Sequence, residues 1–190
     1  MRLIGLAGWS GAGKTTLLVK LIPELTRRGV TVSTLKHAHH GFDIDQPGKD
    51  SFAHREAGAS EVLVASSGRW ALVHELRDEA EPPLSELLRR LSPVDLVIVE
   101  GFKAANHPKI EVHRAANGRR FLFRDIPHVR AIAADVAIPD APVPVVPLDD
   151  IPAVADRALA AAAPLGEVIA SLEAASRTGR VSPAEAVRQP

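Results

Sequence analysis

Cysteine is absent from the 190-residue chain. This excludes disulfides and thiolate-bound metal, and leaves compartment to be argued from other features. Net charge is also missing, since 23 Lys and Arg balance 23 Asp and Glu. Without a global positive field, neither nucleic acid nor an anionic membrane is an expected partner. Long apolar runs are lacking too. No stretch approaches the roughly 18 residues of a membrane span, and the opening MRLIGLAGWSGAGK turns into glycine-rich loop before reaching signal-peptide length. The expectation is a cytoplasmic protein with one well-buried core, for which 46% hydrophobic content suffices.

What is present is an alternation of short β-branched runs with helical patterns, the mark of an α/β chain with a mostly parallel sheet flanked by helices. RLIGLA (2–7) reads as a buried strand. Leu17, Leu18, Leu21, Ile22 and Leu25 follow the helical period from Lys14 to Arg28, and Gly29 supplies the stop. Pro23 inside this pattern should remove one backbone bond and kink the helix. VTVSTLK (30–36) and DLVIVE (95–100) are further strands, with a helix near Asp50–Ala57 between them. EVLVAS and RWALVHEL, separated by Ser67-Gly68, predict a hairpin. A second hairpin is expected from KIEVHR and RRFLF across AANG. PPLSELLRRL starts with prolines where a helix tolerates them, VRAIAAD and VPVVPL are the last strands, and an alanine-rich helix follows near 151–163. The expected division is a nucleotide-binding domain at 1–163 and a helical or flexible extension at 164–190. In that extension Ser182, Pro183 and Glu185 have the spacing of a helix start.

GWSGAGKT fits G-x-x-x-x-G-K-[ST], between a buried strand and an amphipathic helix. Its glycines let backbone N–H groups converge on phosphate, and the helix dipole adds to them. Lys14 is assigned to the β- and γ-phosphates and the Thr15 hydroxyl to Mg2+. An acid must hold the metal or its waters. Asp95 and Glu100 stand at opposite ends of one strand, roughly 16 Å apart, and ligands of open α/β sheets sit at the carboxyl ends. Glu100 is therefore the metal acid and Asp95 starts the strand. The stretch KHAHHGFDIDQPGKDS (36–51) follows the second strand. His37 and His39 share a face of an extended segment while His40 points away, which argues against a dedicated transition-metal site. Lys36 or the imidazoles are expected on phosphate oxygens, with Asp43, Asp45 or Asp50 facing the cation or the attacking water. Asp50 has an alternative role as the N-cap of the next helix. The guanine-reading N-K-x-D pattern is absent; Asp135, ending a strand at the same edge, is a candidate acceptor for guanine N1–H and the 2-amino group.

GWSGAGKTTL, LKHAHHGFDIDQPGKDS, HREAGA, RWALV and DLVIVEGFK, with KIEVHR and AIAADV extending the likeness to about residue 136, together resemble the molybdopterin-guanine dinucleotide biosynthesis protein B family. The resemblance implies the P-loop NTPase fold and a cytoplasmic, homodimeric GTP-binding protein with weak GTPase activity. Its members assist the MobA-type nucleotidyltransferase that joins GMP to molybdopterin in molybdenum cofactor biosynthesis. It also implies phosphate contacts at Gly11, Gly13, Lys14, Thr15 and Thr16, to which the loop residues Ser10 and Ala12 are added, with Glu100 as the acid. GTP and Mg2+ are the implied ligands, and RWALV and KIEVHR the implied dimer strands. The catalytic assignment is Lys14, Glu100 and Asp50. The nucleotide-binding set adds Lys36, His37 and Asp135, and the metal set is Thr15, Glu100 and Asp45.

Two other functions fit the same residues. A small-molecule P-loop kinase would use GRRFLFR (118–124) as its lid; a non-catalytic carrier would deliver molybdopterin or GTP. Hydrolysis is expected to be slow, well below about one turnover per second, because no arginine lies in the phosphate loop or in 36–51. Arg55, Arg69 and Arg114 would have to reach in from elsewhere.

Overall fold

A computed structural model describes residues 1–38 and 41–177. These residues group into two compact units, one formed by Met1–His37 with the chain from Pro83 on, the other by Ala38–Pro82.

In the larger unit, strands β1 (Arg2–Ala7) and β2 (Val32–Lys36) join β5 (Leu96–Glu100), β6 (Lys109–His113), β7 (Val129–Ala134) and β8 (Val145–Pro147). They form a parallel sheet in the order β2-β5-β1-β6-β7-β8. The two-residue β9 (Ala163–Pro164) pairs antiparallel with the start of β1. Central strands covered on both faces are apolar at successive positions, and alternation then sends neighbours to opposite cores. Ile4, Leu6 and Ile98 pack with Leu17, Leu21 and Leu25 of α1 (Lys14–Arg27) and with Val154 and Ala158 of α4 (Ile151–Ala161). Leu3, Val97 and Val99 pack against Leu84 and Leu88 of α3 (Leu84–Arg89) and Val168 and Leu172 of α5 (Leu165–Arg177). The stretch set apart in the sequence as an extension thus supplies part of one core through residue 177. Its final segment, with Ser182, Pro183 and Glu185, lies outside the described residues.

Helix α1 runs through Pro23 without interruption. Pro23 is exposed, so water can serve the carbonyl that loses its partner. Leu17, Leu21 and Leu25, at i, i+4 and i+8, form its buried stripe. The helix closes at Gly29, whose φ of 79° follows backbone bonds from Arg28 N and Gly29 N to the last turn.

The second expected hairpin does not form. β6 is an interior strand hydrogen-bonded to β1 on one side and β7 on the other, so neither edge is left for RRFLF. A single 3-10 turn spans Ala115–Asn117. Residues 119–124 then cross toward β7, held by the buried Glu111 carboxylate, which accepts from Leu122 N at 2.7 Å and Phe123 N at 2.8 Å. An interior β6 also rules out KIEVHR as an edge for pairing with a second copy.

In the 38–82 unit, α2 (Asp50–Glu56) precedes the expected hairpin of β3 (Glu61–Ala65) and β4 (Trp70–His74), with Ala65 opposite Trp70 and a Ser66 N to Arg69 O bond closing the turn. The N-cap of α2 is Lys49, not Asp50. Lys49 keeps extended backbone while Asp50 already has helical geometry, where its charge favours the helix dipole instead. Arg55 joins three segments of this unit, donating from Nη2 to Asp43 at 3.0 Å, from Nε to Asp45 at 3.3 Å and from Nη1 to Glu75 at 2.6 Å.

Candidate nucleotide site

The chain leaves β1 toward β2 and leaves β6 toward β7, in opposite directions, so the carboxyl ends of β1 and β6 flank the point where the winding reverses. Ligands of open α/β sheets bind at such a point, and residues 8–13 lie there. Gly8 is required by close approach, because a Cβ at this position would sit 2.7 Å from Val112 O. Gly13, at φ 91°, caps α1 through its backbone, and no side chain caps this helix. The first-turn N–H groups therefore face the loop as anion donors. Lys14 Nζ donates to Gly8 O at 3.0 Å and Trp9 O at 3.1 Å, which folds the loop around its own lysine. Thr15 and Thr16 follow on the first turn, as the motif expects.

Glu100 ends β5 directly beside β1 and β2, opposite Leu6 and Lys36. It is buried yet close enough to Lys14 to act on it electrostatically. Desolvation lowers the Lys14 pKa most; Glu100 opposes this, while the Lys103 and Lys36 charges reinforce it. Burial also lowers Lys103, whose Nζ lies 5.0 Å above the Trp9 ring. His37 N bonds to Glu100 O at 2.9 Å, and the His37 ring meets Phe102 at 4.8 Å. Gly101 makes this turn possible: its φ is 99°, and a Cβ there would lie 2.8 Å from His37 Cβ. Lys14, Lys36, His37 and Glu100 thus meet at one sheet edge, and Thr15 stands next to Lys14. Asp95, at the opposite end of β5, accepts from Thr31 N and Oγ1.

Residues 114–120 brace the loop from the β6 side. Asn117 Nδ2 donates to Ser10 O at 2.8 Å, and Trp9 Nε1 donates to Arg120 O at 2.7 Å. The Arg114 guanidinium lies beside Gly13, with Nη2 3.6 Å from where a Cβ would stand. Asp135 accepts from Ala115 N at 2.7 Å through Oδ1, and its Oδ2 stands 3.8 Å from Arg114. The proposed kinase lid is therefore part of the frame around the loop. Lys103 and Asn117 were not among the sequence candidates. Lys103 carried a signal, lying three residues past the strand-ending Glu100; Asn117 carried none, because its partner is 107 residues away.

Asp43 and Asp45 belong to the other unit, with Arg55 on both. The backbone N–H of Asp45 is the main influence holding the Asp43 pKa low. Burial pushes Asp45 upward, but Ser51, Gln46 N–H and Arg55 outweigh it and leave its pKa below normal. Asp50 begins α2. His39 and His40 lie outside the described residues. Among the described residues no three His, Asp or Glu side chains are grouped so that they could hold a metal ion. Mg2+ at a phosphate loop does not need such a cluster, since it keeps several waters and takes one or two protein oxygens plus phosphate. A Thr15 hydroxyl with the Glu100 carboxylate fits that requirement.

A parallel sheet wound in both directions, with a complete phosphate loop at the reversal and an acid ending the neighbouring strand, defines a protein of P-loop NTPase-like fold. Residues 3–135 match the family described as molybdopterin guanine dinucleotide synthesis protein B, and the chain belongs to that family. It is 46% identical over 158 residues to the molybdopterin-guanine dinucleotide biosynthesis adapter protein of Escherichia coli K12, covering 81% of this chain and 89% of that one. The adapter protein of the same name from Haemophilus influenzae is 47% identical over 114 residues, 59% of this chain and 63% of that one. The crystal structure of Bacillus subtilis MobB superimposes with a TM-score of 0.68 at 23% identity, covering 85% and 98% of the two chains. Among the described residues no helix is long and apolar enough to cross a membrane.

Proposed function

We propose that this chain is a cytoplasmic, GTP-binding accessory protein of molybdenum cofactor biosynthesis. In this reading it assists a MobA-type nucleotidyltransferase in joining GMP to molybdopterin. The observation that carries it is the complete phosphate loop with Lys14 beside Glu100, in a chain whose relatives are named adapter proteins. Lys14 neutralises the β- and γ-phosphates, the N–H groups of residues 11–16 gather phosphate oxygens, and Lys36 and His37 add donors from the β2 edge. Thr15 and Glu100 hold Mg2+, which would neutralise charge on the transferring phosphoryl group. Hydrolysis is slow because Arg55 is committed to three carboxylates, and Arg114 stands at Gly13 rather than at the Gly8 end of the loop. Calorimetric titration with GTP and ATP in Mg2+ tests the assignment. Saturable GTP binding with weaker ATP binding is expected, and an ATP preference would overturn it.

Homodimerisation is assigned to the β3–β4 hairpin. Leu63, Leu72 and Trp70 share one face of it and are 61%, 43% and 66% exposed. A two-stranded sheet is marginal alone, and an apolar face of this kind calls for a partner. A second copy supplies an identical, self-complementary surface. Leu63→Glu with Leu72→Lys should convert a dimer to a monomer in light scattering while leaving GTP binding measurable; an unchanged mass would remove the hairpin from the interface.

A further inference from the structure

We propose that the Lys103 ammonium binds the terminal phosphate of the nucleotide, so that this side chain tells a triphosphate from a diphosphate. This rests on the reading of the chain as a GTP-binding protein and deepens it. Lys103 is reached through a costly turn. Gly101 and Phe102 follow Glu100 with φ of 99° and 47°, and a left-handed conformation is strained at a bulky residue such as phenylalanine. The Phe102 ring against His37, and a bond from Ala105 N to Phe102 O at 3.0 Å, hold the turn in place. Backbone strain of this kind clusters at active sites and ligand clamps. Here it aims an ammonium at the phosphate loop, with Lys103 Nζ lying 5.0 Å above the Trp9 ring.

That ring is itself fixed, since Trp9 Nε1 donates to Arg120 O at 2.7 Å. It also marks one end of the loop. Lys14 Nζ rests on the Gly8 and Trp9 carbonyls, and Lys14 serves the β- and γ-phosphates. Trp9 therefore stands at the γ end, away from Gly13 and the start of α1. Among the described residues no carboxylate pairs with the half-buried Lys103. Its charge acts on Lys14 more strongly than that of Lys36 does, which puts it close to the lysine on which the phosphates are expected. Arg119, 5.6 Å from the same ring, is exposed and is not among the charges acting on Lys14. Three ammonium groups, on Lys14, Lys36 and Lys103, thus meet a single carboxylate, Glu100. With Glu100 given to Mg2+ they have no counter-charge left, and a triphosphate supplies it. An aromatic face holds an ammonium less strongly than phosphate does, so Lys103 can exchange one for the other.

Dissociation constants for GTP and GDP, measured with Mg2+ on the full chain and on Lys103→Met, test the assignment. Methionine keeps an apolar stem over Trp9 and removes the charge. GTP should weaken about 10- to 100-fold, the factor for one lost charge-assisted hydrogen bond, while GDP stays within about twofold of wild type. Lys14→Ala should instead weaken both ligands, because Lys14 also serves the β-phosphate. An equal loss of GTP and GDP in Lys103→Met, or no loss, overturns the proposal. A wild-type chain that binds no nucleotide ends both readings. One that prefers ATP ends only the choice of GTP, and ATP with ADP then carry the same test. A wild-type chain that binds GTP, with a Lys103→Met variant whose GTP and GDP affinities move together, ends only this one.

Discussion

Lys14→Ala is expected to weaken GTP binding roughly 100-fold or more while leaving the fold intact. Two charge-assisted hydrogen bonds to phosphate are lost, at about 1.5–3 kcal/mol each, and about 3 kcal/mol corresponds to that factor. The fold should survive because Lys14 contributes only bonds to the Gly8 and Trp9 carbonyls of its own loop. Lys14→Arg should not rescue binding, since a planar fork cannot occupy the place of a compact ammonium inside the loop. The measurement is calorimetric titration, paired with formation of the guanine dinucleotide cofactor in a reconstituted mixture. If the accessory role depends on GTP, both fall together. If cofactor formation persists without nucleotide binding, the chain is a carrier and the phosphate loop is incidental to it.

Acid unfolding should be governed to a large degree by His107. Its side chain is 2% exposed, neither ring nitrogen has a hydrogen-bond partner among the described residues, and a Cβ on Gly5 would come within 2.4 Å of Nε2. Desolvation, reinforced by Lys109 and His128, lowers its pKa from 6.5 to about 3. Below pH 6.5 the unfolded chain binds a proton that the folded chain refuses, so stability falls as pH drops and continues to fall until about pH 3. At about 1.4 kcal/mol per pH unit, the loss across this range is about 4–5 kcal/mol, a large part of a domain's stability. The adjacent Lys109 is fully buried, its ammonium donating to Ala105 O and His107 O, and burial lowers its pKa to about 7. Its effect has the same sign but lies higher: stability is lost from about pH 10.5 down to about 7 and is flat below. His107→Leu should therefore flatten urea-unfolding stability between pH 6.5 and 4. An unaltered slope would show that carboxylates, not this ring, set the acid limit.

How far the sequence reached depended on the distance between cause and effect. The strands β1 and β5 and the helix α1 were legible because each is a local pattern bounded by its own stop signal, and the phosphate loop because eight contiguous residues specify it. Glu100 followed from strand direction alone. The alternative role of Asp50 as the N-cap of α2 missed by one residue: aspartate favours that position, but Lys49 occupies it, because residue preference does not specify where helical geometry begins.

The order of the strands escaped local reading altogether. KIEVHR and RRFLF look like hairpin arms to any rule confined to neighbours, yet β1 and β7 take both edges of β6. That choice turns residues 114–120 into a brace for the phosphate loop, brings Arg114 to Gly13, and commits Asp135 to its own neighbours. Burial of His107 and Lys109 has the same origin. The linear code by itself determined the strand and helix segments and the chemistry of the loop. Which side chains gather around that loop was decided by sheet order, because a strand's edges can be filled only once and the winners come from distant parts of the chain.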